Sequence, residues 1–203
     1  MDPDEDDGAV IARSVADPDR FAVIWERHAG DVHRFVMRRL GRDLADDVTA
    51  ETFAIALRQR GGFDRTRTNA RPWLFGIAAN IVGKHRRTEV RGLRAVARLG
   101  ADPVAATFAP QEATDDRVVA SAAGPALAVA LAKLSPGDRQ VLLLVAWADL
   151  TYAEVAEALA IPVGTVRSRL NRARNRVRSS LSHDPTLRTD RTTVPREAPT
   201  WTT

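Results

Sequence analysis

The 203-residue chain contains no cysteine, so disulfide bonds and metal sites built on thiolates are excluded. Its four histidines are not spaced with carboxylates as a set of metal ligands. No glycine-rich segment precedes a Lys-Ser or Lys-Thr pair, as a phosphate-binding loop requires. The sequence therefore predicts no metal, no nucleotide cofactor and no catalytic residue.

Long apolar runs and alternating segments are also scarce. No apolar run approaches the length of a membrane span, and the acidic start of the chain is unlike a signal peptide. Few stretches have the period of two that a β-strand needs. A hydrophobic content of 44% is enough for one or two small domains. We therefore expect a cytoplasmic, all-α protein.

Composition divides the chain into five parts. The acidic residues 1–19 are predicted to form a disordered arm, and residues 20–94 a first helical domain. Small residues, proline and glycine make residues 95–125 a flexible linker. Residues 126–181 form a second helical domain, and the Ser-, Thr- and Pro-rich residues 182–203 a disordered tail.

Residues 150–170 have the pattern of a helix-turn-helix. Thr151 is a good N-cap, and Glu154 three residues later completes a capping box. Pro162 and Gly164 are expected to end this helix and to allow a second one to start. The second helix is the one that such a motif places in the major groove of DNA.

Helical periodicity divides this second helix into two faces. One face is apolar and is expected to be buried: Val166, Leu170, Ala173, Val177 and Leu181. The opposite face carries side chains that can bond base edges: Arg167, Ser168, Asn171 and Arg172. Arg169 and Arg176 lie on the flank of the helix, between these two faces, where a side chain reaches a phosphate more easily than a base. The alternative to DNA binding is that these residues form only a solvent-exposed basic face on an ordinary terminal helix.

The first domain begins with two predicted helices. An apolar face that includes Trp25 marks a long first helix, which Gly41 ends. The second helix carries Asp47 and Glu51, which are four residues apart and share one side. A negative charge is favourable near a helix N-terminus, which is enough to explain the presence of Asp47. It does not explain Glu51, which lies beyond the first turn.

A third helix is predicted from Pro72 onwards, and its polar side combines an aromatic ring, an amide and cations. These residues are Trp73, Asn80, Lys84, Arg86 and Arg87. Unpaired DNA is bound in this way, because bases stack on a ring while cations follow the backbone. The alternative for Trp73 is a core residue that packs under the preceding loop.

Three segments together carry a family resemblance: Asp47–Phe53, Pro72–Asn80 and Ile161–Arg169. In this order, the chain resembles bacterial RNA polymerase sigma factors of the extracytoplasmic-function (ECF) type. Its Ala- and Arg-rich composition is similar to that of actinobacterial members. The resemblance covers both helical domains and implies the two-domain fold of sigma regions 2 and 4.

The resemblance also implies partners and roles. Residues matching Asp47 and Glu51 bind the clamp helices of the largest subunit of core RNA polymerase. The loop at residues 61–71, with Phe63 and Asn69, matches the loop that captures an unstacked base of the minus-10 promoter element. Asn80 matches a residue at the melted junction.

The second domain is implied to bind the minus-35 element of promoter DNA through the helix that starts near Thr165. It is also implied to pack on the flap of the second-largest subunit. The resemblance further implies an anti-sigma factor as a partner, and it implies no association with a membrane. Lys84 stands where many relatives have Asp, so the resemblance does not carry the minus-10 base preference of those relatives over to this chain.

Two other classes of protein fit parts of the pattern. A free-standing helix-turn-helix regulator would dimerise on a palindromic operator, but it has no need for the acidic pair or for the Trp73 and Asn80 face. A nucleic-acid-processing enzyme would need metal ligands, which the sequence does not supply.

Overall fold

A computed structural model describes residues 5–99 and 116–182. Within these ranges the chain forms helices and no strand, which confirms the all-α prediction. The α-helices are α1 (Asp7–Ser14), α2 (Ala22–Leu40), α3 (Arg42–Gln59), α4 (Arg71–Lys84), α5 (Arg86–Leu99), α6 (Asp116–Lys133), α7 (Pro136–Trp147), α8 (Tyr152–Ala158) and α9 (Val163–Ser182). None of them is both long enough and apolar enough to cross a bilayer.

The first domain packs α2, α3 and α5 around α4. Phe75 of α4 meets Phe35 of α2 edge to face, with ring centroids 5.3 Å apart. Gly41 ends α2 as predicted, because its φ of 87° lies in the left-handed region that favours glycine. Trp25 belongs to the apolar face that predicted α2, but its ring is 44% exposed and packs with Phe53 of α3 at the surface.

The second domain contains the predicted helix-turn-helix in α8 and α9. Both hydrogen bonds of the capping box between Thr151 and Glu154 are present. The turn differs from the prediction, since Gly164 lies inside α9. Ala160 is the residue that adopts a positive φ, of 50°, after α8. The left-handed position is therefore occupied by an alanine, which sequence patterns cannot identify.

The prediction of a disordered arm is wrong for the part of residues 1–19 that the structure describes. Asp6 caps α1, and Val10 and Ile11 are buried in the core. The buried carboxylate of Asp7 accepts hydrogen bonds from Arg27 and from the Ala70 amide. The composition predicted disorder because Asp6 and Asp7 were taken as solvent-exposed charges. Asp6 instead caps α1, and Asp7 is paired with Arg27.

The predicted linker at 95–125 is too wide at both ends, since α5 continues to Leu99 and α6 starts at Asp116. Residues 100–115 lie outside the described residues, as do residues 1–4 and residues 183–203 of the predicted tail.

The two domains are in contact through a buried ion cluster. Glu89 of α5 accepts hydrogen bonds from Arg39 of α2, at 2.6 Å, and from Arg139 of α7, at 3.1 Å. All three side chains are almost completely buried. Burial lowers the pKa of Arg39, and the Glu89 carboxylate opposes this shift. The charge of Glu89 thus connects the first domain to the second.

We expect Asp7→Asn to destabilise the protein in a pH-dependent way. Burial alone would raise the pKa of Asp7, but hydrogen bonds from His28 and the Ala70 amide outweigh it and hold the pKa at about 2. Because folding lowers the pKa of Asp7, this group stabilises the fold at pH values above the ordinary pKa of an aspartate. The contribution is lost as the pH falls towards 2. Urea unfolding at pH 7 should show a loss of about 2 kcal/mol.

The same variant should lose less stability than the wild type when the pH is lowered from 4.5 to 2.5. Asp19→Asn, at an exposed position, is the control and should behave like the wild type. Equal stability of Asp7→Asn and the wild type at pH 7 would contradict the assignment of α1 to the core.

Candidate nucleic-acid interface

Helix α9 presents its polar face to solvent, as its periodicity predicted. Val166, Leu170 and Ala173 are buried, while Arg167, Ser168 and Asn171 are exposed. Thr165 and Arg169 are half-buried. Within the described ranges Arg167 makes no ion pair, so its guanidinium group is available to a ligand.

Two arginines of α9 share one carboxylate. Asp138, at the buried start of α7, lies 3.2 Å from Arg172 and 3.6 Å from Arg176. Burial raises the pKa of Asp138, but hydrogen bonds from Arg172 and Ser135 outweigh it and lower the pKa. No local pattern predicts this ion pair, because Asp138 is 34 residues from Arg172. Asp138 therefore orients both guanidinium groups at the edge of α9.

The predicted stacking residues line a cavity in the first domain. Trp73 is half-buried and packs on Phe63, with ring centroids 4.9 Å apart. These two rings and the exposed Asn80 line a cavity of about 340 Å³. Phe63 itself is buried, so it supports Trp73 and does not offer a free face. The Trp73 ring and the Asn80 amide thus lie on the same side of α4, as predicted.

The loop that precedes α4 is held by its own turns and by α1. Asp64 accepts hydrogen bonds from the amide and hydroxyl of Thr66, and its pKa is lowered by them. Asn69 is exposed, and its side-chain oxygen accepts a hydrogen bond from the Arg71 amide. At the end of the loop, Asp7 binds the Ala70 amide at 2.9 Å. Helix α1, which lies in the segment predicted to be a disordered arm, therefore fixes this loop through Asp7.

A strip of cations continues from the end of α4 along α5. Lys84, Arg86 and Arg87 are exposed. Together with further arginines they line a groove of about 1250 Å³: Arg91, Arg94 and Arg98. The groove extends the predicted cationic set towards the end of α5, and a phosphate backbone can follow such a surface.

The acidic pair lies on a separate face of the first domain. Asp47 and Glu51 are exposed on α3 and, among the described residues, neither has an ion-pair partner. Ala50 and Ala54 fall within about 100° of arc with them. These alanines border a cavity of about 580 Å³ that Trp25 also lines. An exposed ring beside an acidic pair resembles an interface anchor with a polar rim. The sequence pattern placed this ring on an apolar helix face and did not predict a role for it at an interface.

Comparison with known families gives the same division of the chain. Residues 24–92 match the family described as Sigma-70 region 2, and residues 126–177 match Sigma-70, region 4. The chain belongs to the sigma-70 family. The free-standing regulator is not favoured, because region 2 accounts for the first domain.

Relatives of known name are ECF sigma factors. The chain is 35% identical over 153 residues to the probable RNA polymerase sigma-C factor of Mycobacterium bovis, covering 71% of this chain and 74% of that protein. It is 30% identical to the ECF RNA polymerase sigma factor SigL of Mycobacterium tuberculosis, covering 85% and 94%. This sigma factor therefore binds core RNA polymerase and directs it to promoters.

Solved structures show the same fold. CnrH, in complex with the cytosolic domain of CnrY, superposes with a TM-score of 0.61 at 26% identity, covering 88% of this chain and 98% of that one. The sigma factor RpoE of Bartonella quintana, in complex with the anti-sigma factor NepR, has a TM-score of 0.54 at 22% identity, covering 81% and 98%.

Proposed function

We propose that the cavity of Trp73 and Asn80 receives an unpaired base of the minus-10 element during promoter melting. The observation that carries this assignment is that Trp73 and Asn80 line one cavity, while the exposed cations Lys84, Arg86 and Arg87 follow at the end of the same helix. Unstacking a base costs a few kcal/mol, and stacking on Trp73 offsets about 1–3 kcal/mol of this. Phe63 supports the ring, while Asn69 orders the loop that covers the base.

The minus-35 element is bound by the exposed face of α9. Arg167, Ser168 and Asn171 lie where base edges of a major groove can be reached. Thr165 and Arg169 flank them. Arg172 and Arg176, oriented by Asp138, contact phosphates at the edge of the groove. This modifies the expectation for Arg172, which periodicity alone had assigned to base contacts.

Core RNA polymerase is bound through Asp47 and Glu51, which pair with a basic surface on the clamp helices of its largest subunit. Trp25 supplies an apolar anchor beside them. The second domain packs on the flap of the second-largest subunit. An anti-sigma factor is a further partner, and the support is that the related CnrH is solved with a cytosolic domain of another protein.

The protein acts in the cytoplasm and by binding alone, without bond chemistry of its own. Its work is to shift the equilibrium of a promoter from paired to melted. The free energy comes from base stacking, from phosphate contacts and from attachment to polymerase.

We expect the double substitution Asp47→Arg and Glu51→Arg to weaken binding to core polymerase by about 100-fold or more, because like charges placed together cost several kcal/mol. Competition against a labelled sigma factor for purified core enzyme measures this. Asp149→Arg, which reverses an exposed acid of the second domain, is the control and should bind normally. Unchanged affinity of the double variant would remove the assignment.

We expect Arg167→Ala and Arg176→Ala to differ in kind. Arg167→Ala should cost about 1–3 kcal/mol and relax preference at one or two minus-35 base pairs. Arg176→Ala should weaken binding on all sequences and reduce the salt dependence by about one unit. Selection from a randomised upstream library with holoenzyme, at two salt concentrations, measures both. A change of base preference in Arg176→Ala alone would show that the assigned rotation of α9 is wrong.

A further inference from the structure

The first turn of α7 holds a row of arginines that belong to α9. The carboxylate of Asp138 pairs with Arg172 and Arg176 at 3.2 and 3.6 Å. Beside it, the backbone of Gly137 lies against the guanidinium group of Arg169, since a Cβ at Gly137 would come within 3.0 Å of one terminal nitrogen of that group. Two adjacent residues of α7 thus contact three arginines of α9.

These arginines form a flank of α9 that is separate from its base-reading face. An α-helix turns by about 100° per residue, so Arg169, Arg172 and Arg176 fall within about 60° of arc. Arg167 and Asn171 lie on the opposite side of the helix, and both are exposed. Helix α7 therefore holds the arginines of the flank, whereas Arg167 has no ion-pair partner among the described residues.

Asp138 is a fixed anion, and its two partners keep donors for a further ligand. Its side chain is only 5% exposed, and its backbone amide donates a hydrogen bond to the hydroxyl of Ser135, which caps α7. The side chains of Arg172 and Arg176 are 54% and 57% exposed. A guanidinium group has several N–H donors, so each arginine can contact a phosphate while it remains paired with Asp138.

From this arrangement we propose that Asp138 determines how specifically α9 binds the minus-35 element, although it does not itself touch DNA. Asp138 holds Arg172 and Arg176 at the phosphates on the edge of the groove and away from the base edges. Its charge also cancels part of the attraction between α9 and the backbone of any DNA. The proposal rests on the assignment of α9 to the minus-35 element.

The two effects of Asp138 act on different kinds of DNA. Binding to a random duplex depends on phosphate contacts, and the carboxylate weakens it by lowering the positive charge of α9. Binding to the promoter element also depends on side chains that are held in register with the bases. Here Asp138 helps, because it removes rotamer freedom that binding would otherwise have to remove. Asp138 therefore widens the difference in affinity between the promoter element and other DNA.

The test compares Asp138→Asn with Asp149→Asn in the full-length protein. Both substitutions remove one carboxylate from the second domain, but Asp149 is exposed and has no ion-pair partner among the described residues. The probes are two fluorescein-labelled duplexes of equal length. One is a random-sequence pool, and the other carries the upstream element that the wild-type holoenzyme selects from a randomised library. Anisotropy titrations at several salt concentrations give the affinities and their salt dependence.

Asp138→Asn should bind the random pool about fivefold or more tightly at about 0.1 M salt. One additional net positive charge steepens the slope of log affinity against log salt by about 0.9, which corresponds to about eightfold between 1 M and 0.1 M salt. The affinity for the selected element should change less, so that the preference over the pool falls by about threefold or more. Asp149→Asn should match the wild type in slope and in preference, because it holds no arginine of α9.

Two further variants separate the charge of Asp138 from its packing. Asp138→Glu keeps the carboxylate and should keep the wild-type slope. In a protein that carries Arg172→Gln and Arg176→Gln, Asp138→Asn should change the preference by less than about twofold, because both of its partners are already absent. An equal fall of the preference in both backgrounds would show that Asp138 acts through the packing of α7, and would overturn the proposal.

Two other results would also overturn it. Wild-type affinity and slope of Asp138→Asn on the random pool would show that the carboxylate does not restrain the cations. A steeper slope without a fall in preference would show that Asp138 only lowers the charge of α9. The minus-35 assignment is tested separately: if Arg167→Ala and the paired Arg172→Gln and Arg176→Gln variant bind both duplexes as tightly as the wild type, α9 is not the DNA-binding helix.

Discussion

A buried carboxylate between two buried guanidinium groups determines how the described helices are arranged. Glu89 holds Arg39 of α2 on one side and Arg139 of α7 on the other. Removing one member would leave an unpaired charge in the interior, at a cost of about 3–5 kcal/mol. Because Arg139 comes from the second domain, the ion cluster that orders α2 and α5 also sets the position at which the helix-turn-helix docks.

Helix α4 serves two partners as a consequence of this arrangement. Leu74 and Phe75 hold it in the core of the first domain, and Gly76 lets α8 approach its other side. The same side carries Trp73 and Asn80, which face the cavity assigned to an unpaired base. A cavity suited to stacking DNA bases is thus lined on one side by α8 of the second domain, and the acids of α3 remain exposed on a separate face.

Periodicity and capping predicted the local features well. The capping box at Thr151, the buried stripe of α9 and the end of α2 at Gly41 all depend on residues close in sequence. Features that depend on distant residues were missed. Asp7 was assigned to a mobile arm, since its partners His28 and Ala70 lie 21 and 63 residues away. The packing of α8 at Gly76 could not be predicted from a local pattern either, because the two helices are distant in sequence. The exposure of Trp25 shows that helical periodicity does not predict whether a residue at the edge of an apolar face is buried.

Inter-domain distance is the quantity that tests the docked arrangement most directly. The chain has no cysteine, so Arg58→Cys on α3 and Arg174→Cys on α9, both exposed, allow a clean pair of nitroxide labels. Double electron–electron resonance should give one narrow distance in the free protein and a longer one after core polymerase is added. A free protein with a broad distribution, unchanged by Gly76→Ala and by polymerase, would contradict the account.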